Sequence, residues 1–500
     1  MTRLKRWIPE ICIFALLLTC YVYFFPRWAD WNQNSRLNMV LAVVDDGTFQ
    51  IDKYVENTGD YAKIGDHYYS DKAPGVAFLG IPVYAALRPM FHLPAMQTLM
   101  ARLEANEAVA QTLREDGSGL LEHKVRFAIA LVAVAFVTAA LPSAITGVLL
   151  YRLAHRMTHS VLAGSLVALS YGLLTPAFAY ANAFFGHQLC AALLLGSFAL
   201  VISGSNASIK KGALVGALLG YSVLTEYPAA LGVLCIVAYC VLVRPNVRFL
   251  LALGLSLALF GVILGVYNNH IFGSPFSLGY AHSTLYMEQH ETGFFSLVGP
   301  QPDALWGLTF GLYRGIFVLS PWLLLALPGA LFWWRRRGRR RELFLMLGIF
   351  LSFFMFNASS IMWWGGWSVG PRYILPGLPF LALLTTDAIK PSRPFAAFLL
   401  TVLLLWSLVA TWGLSLAGQL YPPDTFRNPL LEYAWPHITR GDVARNVGTL
   451  LGLPGWWSLL PLLSALGLLA LIWLLASRGY GQHDPMIQPS GQLVRREAGR

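Results

Sequence analysis

Asn34-Ser-Arg-Leu-Asn-Met-Val-Leu-Ala-Val-Val44-Asp-Asp-Gly-Thr-Phe-Gln-Ile-Asp52 and, shortly after it, Gly65-Asp-His-Tyr-Tyr-Ser-Asp-Lys-Ala-Pro-Gly75 follow directly on one apolar run, Ile8 to Phe25. These two stretches gather carboxylates, a lysine and an arginine into the first long loop of a chain that is otherwise strongly apolar. A carrier or channel places its costly charges inside the bundle. Charges collected in one external loop suit an enzyme working at a membrane face, where aqueous and lipid-borne groups both reach them.

Of the 500 residues, 56% are hydrophobic and 12% charged, which predicts an all-α polytopic membrane protein. Runs near the length needed to cross hydrocarbon begin with Ile8 to Phe25 and continue at Val125 to Tyr151, Val161 to Tyr180, Leu189 to Ser203, Gly212 to Thr225 and Pro228 to Val243. They resume at Phe249 to Tyr267, Gly315 to Trp334, Leu343 to Phe356, Ile374 to Ala388, Phe395 to Leu416 and Trp456 to Ala476. This gives about twelve spans by the length criterion. Ala73 to Leu93 is apolar too, but Pro74, Pro82, Arg88 and Pro89 interrupt it. It reads as a half-buried or re-entrant element, since broken backbone at membrane depth needs protein around it.

Lys and Arg collect on the cytoplasmic side of span ends. If every span crosses once, Arg3, Lys5, Arg6, Arg152, Arg156, Lys210, Lys211, Arg244, Arg248, the Arg335 to Arg341 run, Lys390, Arg393 and the tail from Arg478 share one face. That face takes 21 of the 36 basic residues and 5 of the 25 acidic ones. The formal net charge of +11 is therefore a topology signal, and nucleic acid is not expected as a partner. Both termini are expected to be cytoplasmic, in a bacterial-type cytoplasmic (inner) membrane. The expected organisation is a first span at 1–26, an extracytoplasmic loop at 27–124, a transmembrane core at 125–416 with external loops 268–314 and 357–372, a loop at 417–455, a last span at 456–477 and a tail at 478–500. Within the first loop, Arg36 to Val44 is expected to form a membrane-surface helix ended by Asp45-Asp46-Gly47, and Ala95 to Arg114 a second, more polar one. The first segment lacks a small-residue cleavage site and is kept as a span. The five cysteines lie in apolar runs, so no disulfide framework is expected.

Tyr68-Tyr-Ser-Asp-Lys-Ala-Pro-Gly75 resembles the acidic-Lys-Pro-Pro motif in the first external loop of GT-C glycosyltransferases, the class that includes lipid A aminoarabinose transferases and protein O-mannosyltransferases. Arg372-Tyr-Ile-Leu-Pro376 resembles an Arg/Tyr-Tyr-x-Leu-Pro element that opens a late span in the same enzymes. The resemblance implies transfer of a sugar from a polyprenyl-phosphate donor to a glycan, lipid or protein acceptor on the extracytoplasmic face, with membrane lipids as surroundings. Such a reaction needs a carboxylate to take the acceptor's proton. It also needs cations, or a divalent metal, to hold the departing phosphate.

Lys72, Arg372 and Tyr373 are the expected phosphate ligands, with Arg314 as a further one, because an ammonium and a guanidinium fork suit that group. The relatives carry an acidic residue near the start of the surface helix, where this chain has Asn32-Gln-Asn-Ser-Arg36. The base is therefore sought among Asp45, Asp46, Asp52, Asp60 and Asp71. Asp46 and Asp60 rank level, and Asp71 is a candidate to orient Lys72 or bind a metal. Glu226 and His187 stand at external ends of apolar runs and are expected to face one cavity. Trp367, in Trp363-Trp-Gly-Gly-Trp367, is a candidate to stack on a sugar ring. His282, Glu288 and His290 share one loop, but their spacing matches no common metal-ligand set. Two other classes compete: a lipid-linked glycan ligase or polymerase, and a secondary transporter, which places charges in broken helices repeated between two halves.

Overall fold

The computed structural model describes residues 7–27, 30–106, 124–203, 207–243, 246–390 and 393–478. The described residues are almost wholly helical. The exception is one hairpin, Ala62–Ile64 (β1) paired with His67–Tyr69 (β2) in antiparallel register, Ala62 opposite Tyr69. Gly65 sits in its turn at φ +60°, a backbone conformation that glycine adopts without a steric cost.

The helices that organise the molecule are Ile8–Tyr23 (α1), Trp31–Leu41 (α2), Gly75–Leu87 (α3), Pro94–Glu104 (α4), Lys124–Thr158 (α5), Val161–Leu173 (α6), His187–Ile202 (α7), Ile209–Thr225 (α8), Ala229–Val243 (α9), Val247–Phe272 (α10), Arg340–Ser359 (α11) and Pro394–Leu416 (α12). Among the described residues, α5, α10, α11, α12 and the segment Gly455–Leu475 are long and apolar enough to cross a membrane singly. The shorter apolar helices α1, α6, α7 and α9 run 10–17 residues.

The expectation of about twelve uniform spans thus meets helices of unequal length, and prolines explain much of the difference. Val161 to Tyr180 is helical to Leu173, breaks at Thr175-Pro176 and resumes as the single turn Ala177–Tyr180. Gly315 to Trp334 is cut at Ser320-Pro321 into Ile316–Leu319, a tight turn Pro321–Leu325 and Ala326–Arg335. A residue before proline is pushed out of the helical region, and a hydropathy window does not register that. The apolar stretch after Ala73 forms Gly75–His92, which meets Pro94–Glu104 at 93°. The part of the second external helix beyond residue 106 lies outside the described residues.

Two apolar cores form. The larger joins α1, the second half of α5, α6, α7, α9 and α11. The smaller gathers Leu37, Val40, Val76, Tyr84, Val134 and Phe184, and so draws α2 and α3 against the first half of α5. The helix expected from Arg36 to Val44 begins earlier, at Trp31, and is packed inside the protein. Every residue of it from Gln33 to Leu41 is buried. It runs into a wide turn, Ala42–Asp46, closed by Gly47 at φ +69°.

Gly212, Gly216 and Gly220 recur every fourth residue on α8 and let α10 lie directly against it. A Cβ at Gly216 would stand 2.2 Å from the Leu253 carbonyl oxygen. Helices surrounded by lipid gain from such close approach through small residues. Gly216→Leu is expected to push α10 away and cost about 1–3 kcal/mol, the usual range for overpacking. The check is the thermal midpoint of the purified protein, with Gly254→Leu unchanged because a Cβ there meets nothing within 4 Å.

Candidate active site

α2 begins where Asp30 leaves the helix, in an extended conformation, and accepts the Gln33 amide proton at 3.0 Å. Caps of this kind satisfy an amide that the helix itself cannot. The following turns present Gln33, Asn34, Ser35, Arg36 and Asn38 to the interior, and each side chain makes at least one hydrogen bond or ion pair, while Asn34 Oδ1 and Arg36 Nε have no hydrogen-bond partner among the described residues. Gln33 Nε2 donates to the Arg27 carbonyl at 3.1 Å and Asn34 Nδ2 to the Asn57 carbonyl at 2.8 Å. Ser35 and Ser70 hydroxyls lie 2.9 Å apart, and Asn38 exchanges amide bonds with Asn57 at 2.8 and 3.0 Å. These bonds fold the loop of residues 54–72 over the helix.

That folding delivers a buried charge cluster. Lys72 Nζ stands 3.1 Å from Asp60 Oδ2 and 3.1 Å from Asp71 Oδ2, and all three side chains are buried. Ser283 donates to Asp71 Oδ2 at 3.1 Å, and the Tyr280 ring lies 5.7 Å from the ammonium. Burial works against the lysine's charge, but Asp60 and Asp71 outweigh it and hold the ammonium above its ordinary value. Burial raises the Asp71 carboxyl, with Lys72 opposing.

A second group adjoins it. Glu226 caps the C-terminus of α8, and its Oε1 lies 3.5 Å from Arg36 Nη2 and 3.4 Å from Nδ1 of His187, the first residue of α7. His187 and Glu226 do therefore meet. Gly186 is required at this junction, because a Cβ there would stand 2.2 Å from the carboxylate. Burial pushes the Glu226 carboxyl up, while Arg36, Arg372 and Lys72 pull it down. One carboxylate thus feels cations from three distant parts of the sequence.

Arg372 arrives from the other end of the chain. Its guanidinium lies over the Phe185 ring at 5.5 Å and the Tyr373 ring at 5.1 Å, and donates to the Tyr373 hydroxyl at 3.2 Å. Phe185 stacks on His187 at 5.7 Å, which ties Arg372 to the Glu226 group. Nε of Arg372 is buried and has no hydrogen-bond partner among the described residues. Asp30, half-buried, completes the site. Burial pushes its carboxyl up to about 6; the bond from Gln33 and the nearby Arg372 and Arg36 resist the rise, and Asp60 adds to it.

Several sequence expectations change here. Asp46 stands apart from the cluster, paired with the exposed Lys53 at 3.4 Å and the Tyr54 hydroxyl at 3.4 Å. Asp45 is held by Arg88 at 2.7 Å, Arg126 at 3.3 Å and the Tyr84 hydroxyl at 2.9 Å. Asp52 bonds His67 at 2.7 Å on the exposed hairpin. Arg314 is fully buried and gives its fork to backbone carbonyls, Nε to Trp364 at 3.0 Å, Nη1 to Ser368 at 2.8 Å and Nη2 to Gly366 at 2.7 Å. It holds the 363–370 turn, and through Gly365, packed on Arg372 and Tyr373, positions those side chains. Trp367 is 41% exposed on that turn. His282 and His290 stack on Phe272 and Tyr280, and among the described residues no three His, Cys, Asp or Glu side chains converge as a metal-ligand set.

The residue missed in the sequence is Asp30. The signal was present: Asp30-Trp-Asn-Gln33 is an acidic cap followed three residues later by Gln.

No protein-family model and no curated protein matches the chain. Among solved structures it is similar to ArnT from Cupriavidus metallidurans in the apo state (TM-score 0.45, 14% identity, 80% of this chain and 63% of that one). It is also similar to the same protein bound to undecaprenyl phosphate (TM-score 0.46, 14% identity, 80% and 63%). A third is the archaeal oligosaccharyltransferase AglB from Archaeoglobus fulgidus, in complex with an inhibitory peptide and a dolichol-phosphate (TM-score 0.43, 11% identity, 82% and 55%). The chain thus spans less than two thirds of the length of each.

Lys72→Met leaves Asp60 and Asp71 facing each other without a cation. Breaking a buried pair in this way costs about 3–5 kcal/mol. Denaturation of the purified protein is expected to show that loss, and Lys72→Met combined with Asp71→Asn to recover part of it.

Proposed function

We propose that the protein is an integral-membrane glycosyltransferase of the GT-C kind, moving a sugar from a polyprenyl-phosphate donor to an acceptor on the extracytoplasmic face. The observation that carries this reading is the buried, unpartnered Nε of Arg372 beside a half-buried carboxyl, Asp30, that burial pushes up to about 6. A buried guanidinium with unused donors is an anion site, and charge-assisted bonds to phosphate oxygens are the strong ones.

In this reading the acceptor hydroxyl attacks the anomeric carbon and Asp30 takes its proton. The bond from that carbon to the phosphate oxygen breaks, and the lipid phosphate leaves with the electron pair. Arg372 receives the developing charge with Lys72 and Arg36 close by, held so that little reorganisation is needed as charge develops. Asp60 and Asp71 fix Lys72, and Glu226 fixes Arg36 and His187. A divalent cation fits poorly between Asp60 and Asp71, because the Lys72 ammonium already bridges them at 3.1 Å. The want of an acidic residue near Asn34 kept a lipid-linked glycan ligase or polymerase open as an alternative. Asp30 supplies that carboxylate two residues before Asn32.

Purified protein given polyprenyl-phosphate sugars is expected to release free polyprenyl phosphate, undiminished by EDTA. Asp30→Asn removes the base and is expected to cut turnover about 10²–10⁴-fold, with Asp46→Asn close to the parent. The rate is expected to rise with pH through about 6, because Asp30 accepts a proton only in its ionised form, and this limb disappears in Asp30→Asn. A parent-like rate in Asp30→Asn sinks the assignment of the base. Arg372→Gln is expected to weaken donor binding, read as a higher KM.

A further inference from the structure

Gly232 fixes how α9 lies against α11: a Cβ there would stand 3.3 Å from the Phe353 ring and 3.6 Å from the Ile349 side chain. Further along α9 the Tyr239 hydroxyl donates to Glu342 Oε1 at 2.9 Å, so the two helices run antiparallel. Phe353 also meets the short turn Arg372–Gly377, where a Cβ at Gly377 would lie 3.3 Å from its ring. The chain leaving that turn runs toward the start of α11, since Asp387 pairs with Arg336 at 3.1 Å. Arg372 and Tyr373 therefore lie toward the other end of α11.

One helical turn beyond Phe353, on the same face, comes Asn357. The register places it level with Glu226-Tyr227-Pro228, which lead into α9, and with Arg372-Tyr373. His187 and Tyr373 already meet at this level, their rings 6.1 Å apart. Asn357 is completely buried, and neither its Nδ2 nor its Oδ1 has a hydrogen-bond partner among the described residues. Its backbone carbonyl accepts from the Ser360 amide at 3.2 Å, so the end of the helix does not call on the side chain. An amide sealed away from water with both ends idle destabilises a fold unless something else meets it.

The Tyr227 hydroxyl is a second buried group without a partner among the described residues. Its ring lies against that of Tyr280, 5.9 Å between centres, and the Tyr280 ring lies 5.7 Å from the Lys72 ammonium. Both groups are neutral, and each can donate and accept. Arg372 Nε can only donate. A phosphate only accepts, so it would leave Asn357 Oδ1 unmet, whereas the hydroxyls of a carbohydrate donate and accept and can meet the whole amide.

We infer that Asn357, with Tyr227, reads the hydroxyls of the donor's sugar. One sugar hydroxyl accepts from Asn357 Nδ2 and its neighbour on the ring donates to Oδ1, so the amide decides which sugars the phosphate site admits. A site built to bond a hydroxyl rejects an analogue without it, because the buried amide is then left unpaired. This rests on the transfer reading, with Arg372 as the phosphate's ligand; the sugar is joined directly to that phosphate.

The test uses the full-length protein in nanodiscs and native mass spectrometry to measure binding of bare undecaprenyl phosphate and of undecaprenyl-phosphate glucose, mannose, galactose and N-acetylglucosamine, with their monodeoxy forms. At least one sugar lipid is expected to bind several-fold more tightly than the bare lipid, and to lose that gain when one hydroxyl is removed. Asn357→Leu, of similar size and a good helix former, is expected to erase the gain, leave bare-lipid affinity unchanged and keep or raise the thermal midpoint. Tyr227→Phe, which deletes a single hydroxyl, is expected to reduce the gain. The assignment is overturned by a gain that survives in folded Asn357→Leu or, where that variant does not fold, in Tyr227→Phe; a water held by Asn357 for structure alone gives this result. An equal loss for bare and sugar-bearing lipid, or a parent that binds no sugar lipid more tightly than the bare one, also overturns it. Binding needs neither Asp30 nor turnover: polyprenyl phosphate release with the gain untouched in both variants rejects the sugar subsite alone, and a gain erased by Asn357→Leu without release from any sugar lipid rejects the transfer reading alone.

Discussion

Burying charge is the constraint on which the rest of this structure depends. Arg36, Lys72 and Arg372 share one interior region with Asp30, Asp60, Asp71 and Glu226. Taking an ion out of water costs several kcal/mol, recovered only where an opposite charge and further hydrogen bonds are well placed. The surrounding structure supplies those partners. α2 is the clearest case: a helix with a buried polar face is stable only because Asn57, Ser70 and the Tyr54 carbonyl close over it. The same closure swings Asp60, Asp71 and Lys72 inward.

What is left unsatisfied gives the site its direction. Lys72 and Arg36 have carboxylate partners, whereas Arg372 has aromatic faces and one phenol hydroxyl; the Nε of Arg36 and of Arg372 are both buried donors to spare. Aromatic rings hold a guanidinium in place without neutralising it. The fold therefore presents a positioned positive charge next to a carboxyl whose ionisation burial has made harder. The turn carrying Trp363 to Gly370 is part of the same device, since Arg314 fastens its carbonyls and Gly365 rests on Arg372.

Much of this was legible in the sequence, for physical reasons. Long apolar runs identify a helical membrane protein, and two short motifs singled out the Asp71-Lys72 and Arg372-Tyr373 stretches, whose cations both act on Glu226. His187 and Glu226 were expected to share a cavity because a carboxylate at the end of an apolar run needs a partner, and they lie 3.4 Å apart. The rest was hidden where local pattern and tertiary context diverge. Asp45 and Asp46 look like a paired catalytic motif, yet a turn places them beside Arg88, Arg126 and Lys53. Arg314 looks like a phosphate ligand until its neighbours prove to be carbonyl oxygens. Asp30 was overlooked because the resemblance directed attention to Asn32 and beyond, although a cap residue two positions earlier has the required chemistry. At Pro176 and Pro321 apolar composition continues while the helix is interrupted, which a hydropathy window does not register.

The central claim is that Arg372, with Lys72 close by, receives the phosphate of a polyprenyl lipid beside Asp30. A cryo-electron microscopy structure of the protein with added polyprenyl phosphate tests it most directly. The account predicts phosphate oxygens at charge-assisted hydrogen-bond distance, about 2.7–2.9 Å, from the Arg372 guanidinium, with Asp30 on the open side of the phosphate. A phosphate seated away from Arg372, with the Lys72 and Arg372 groups unchanged and uncontacted, would contradict it.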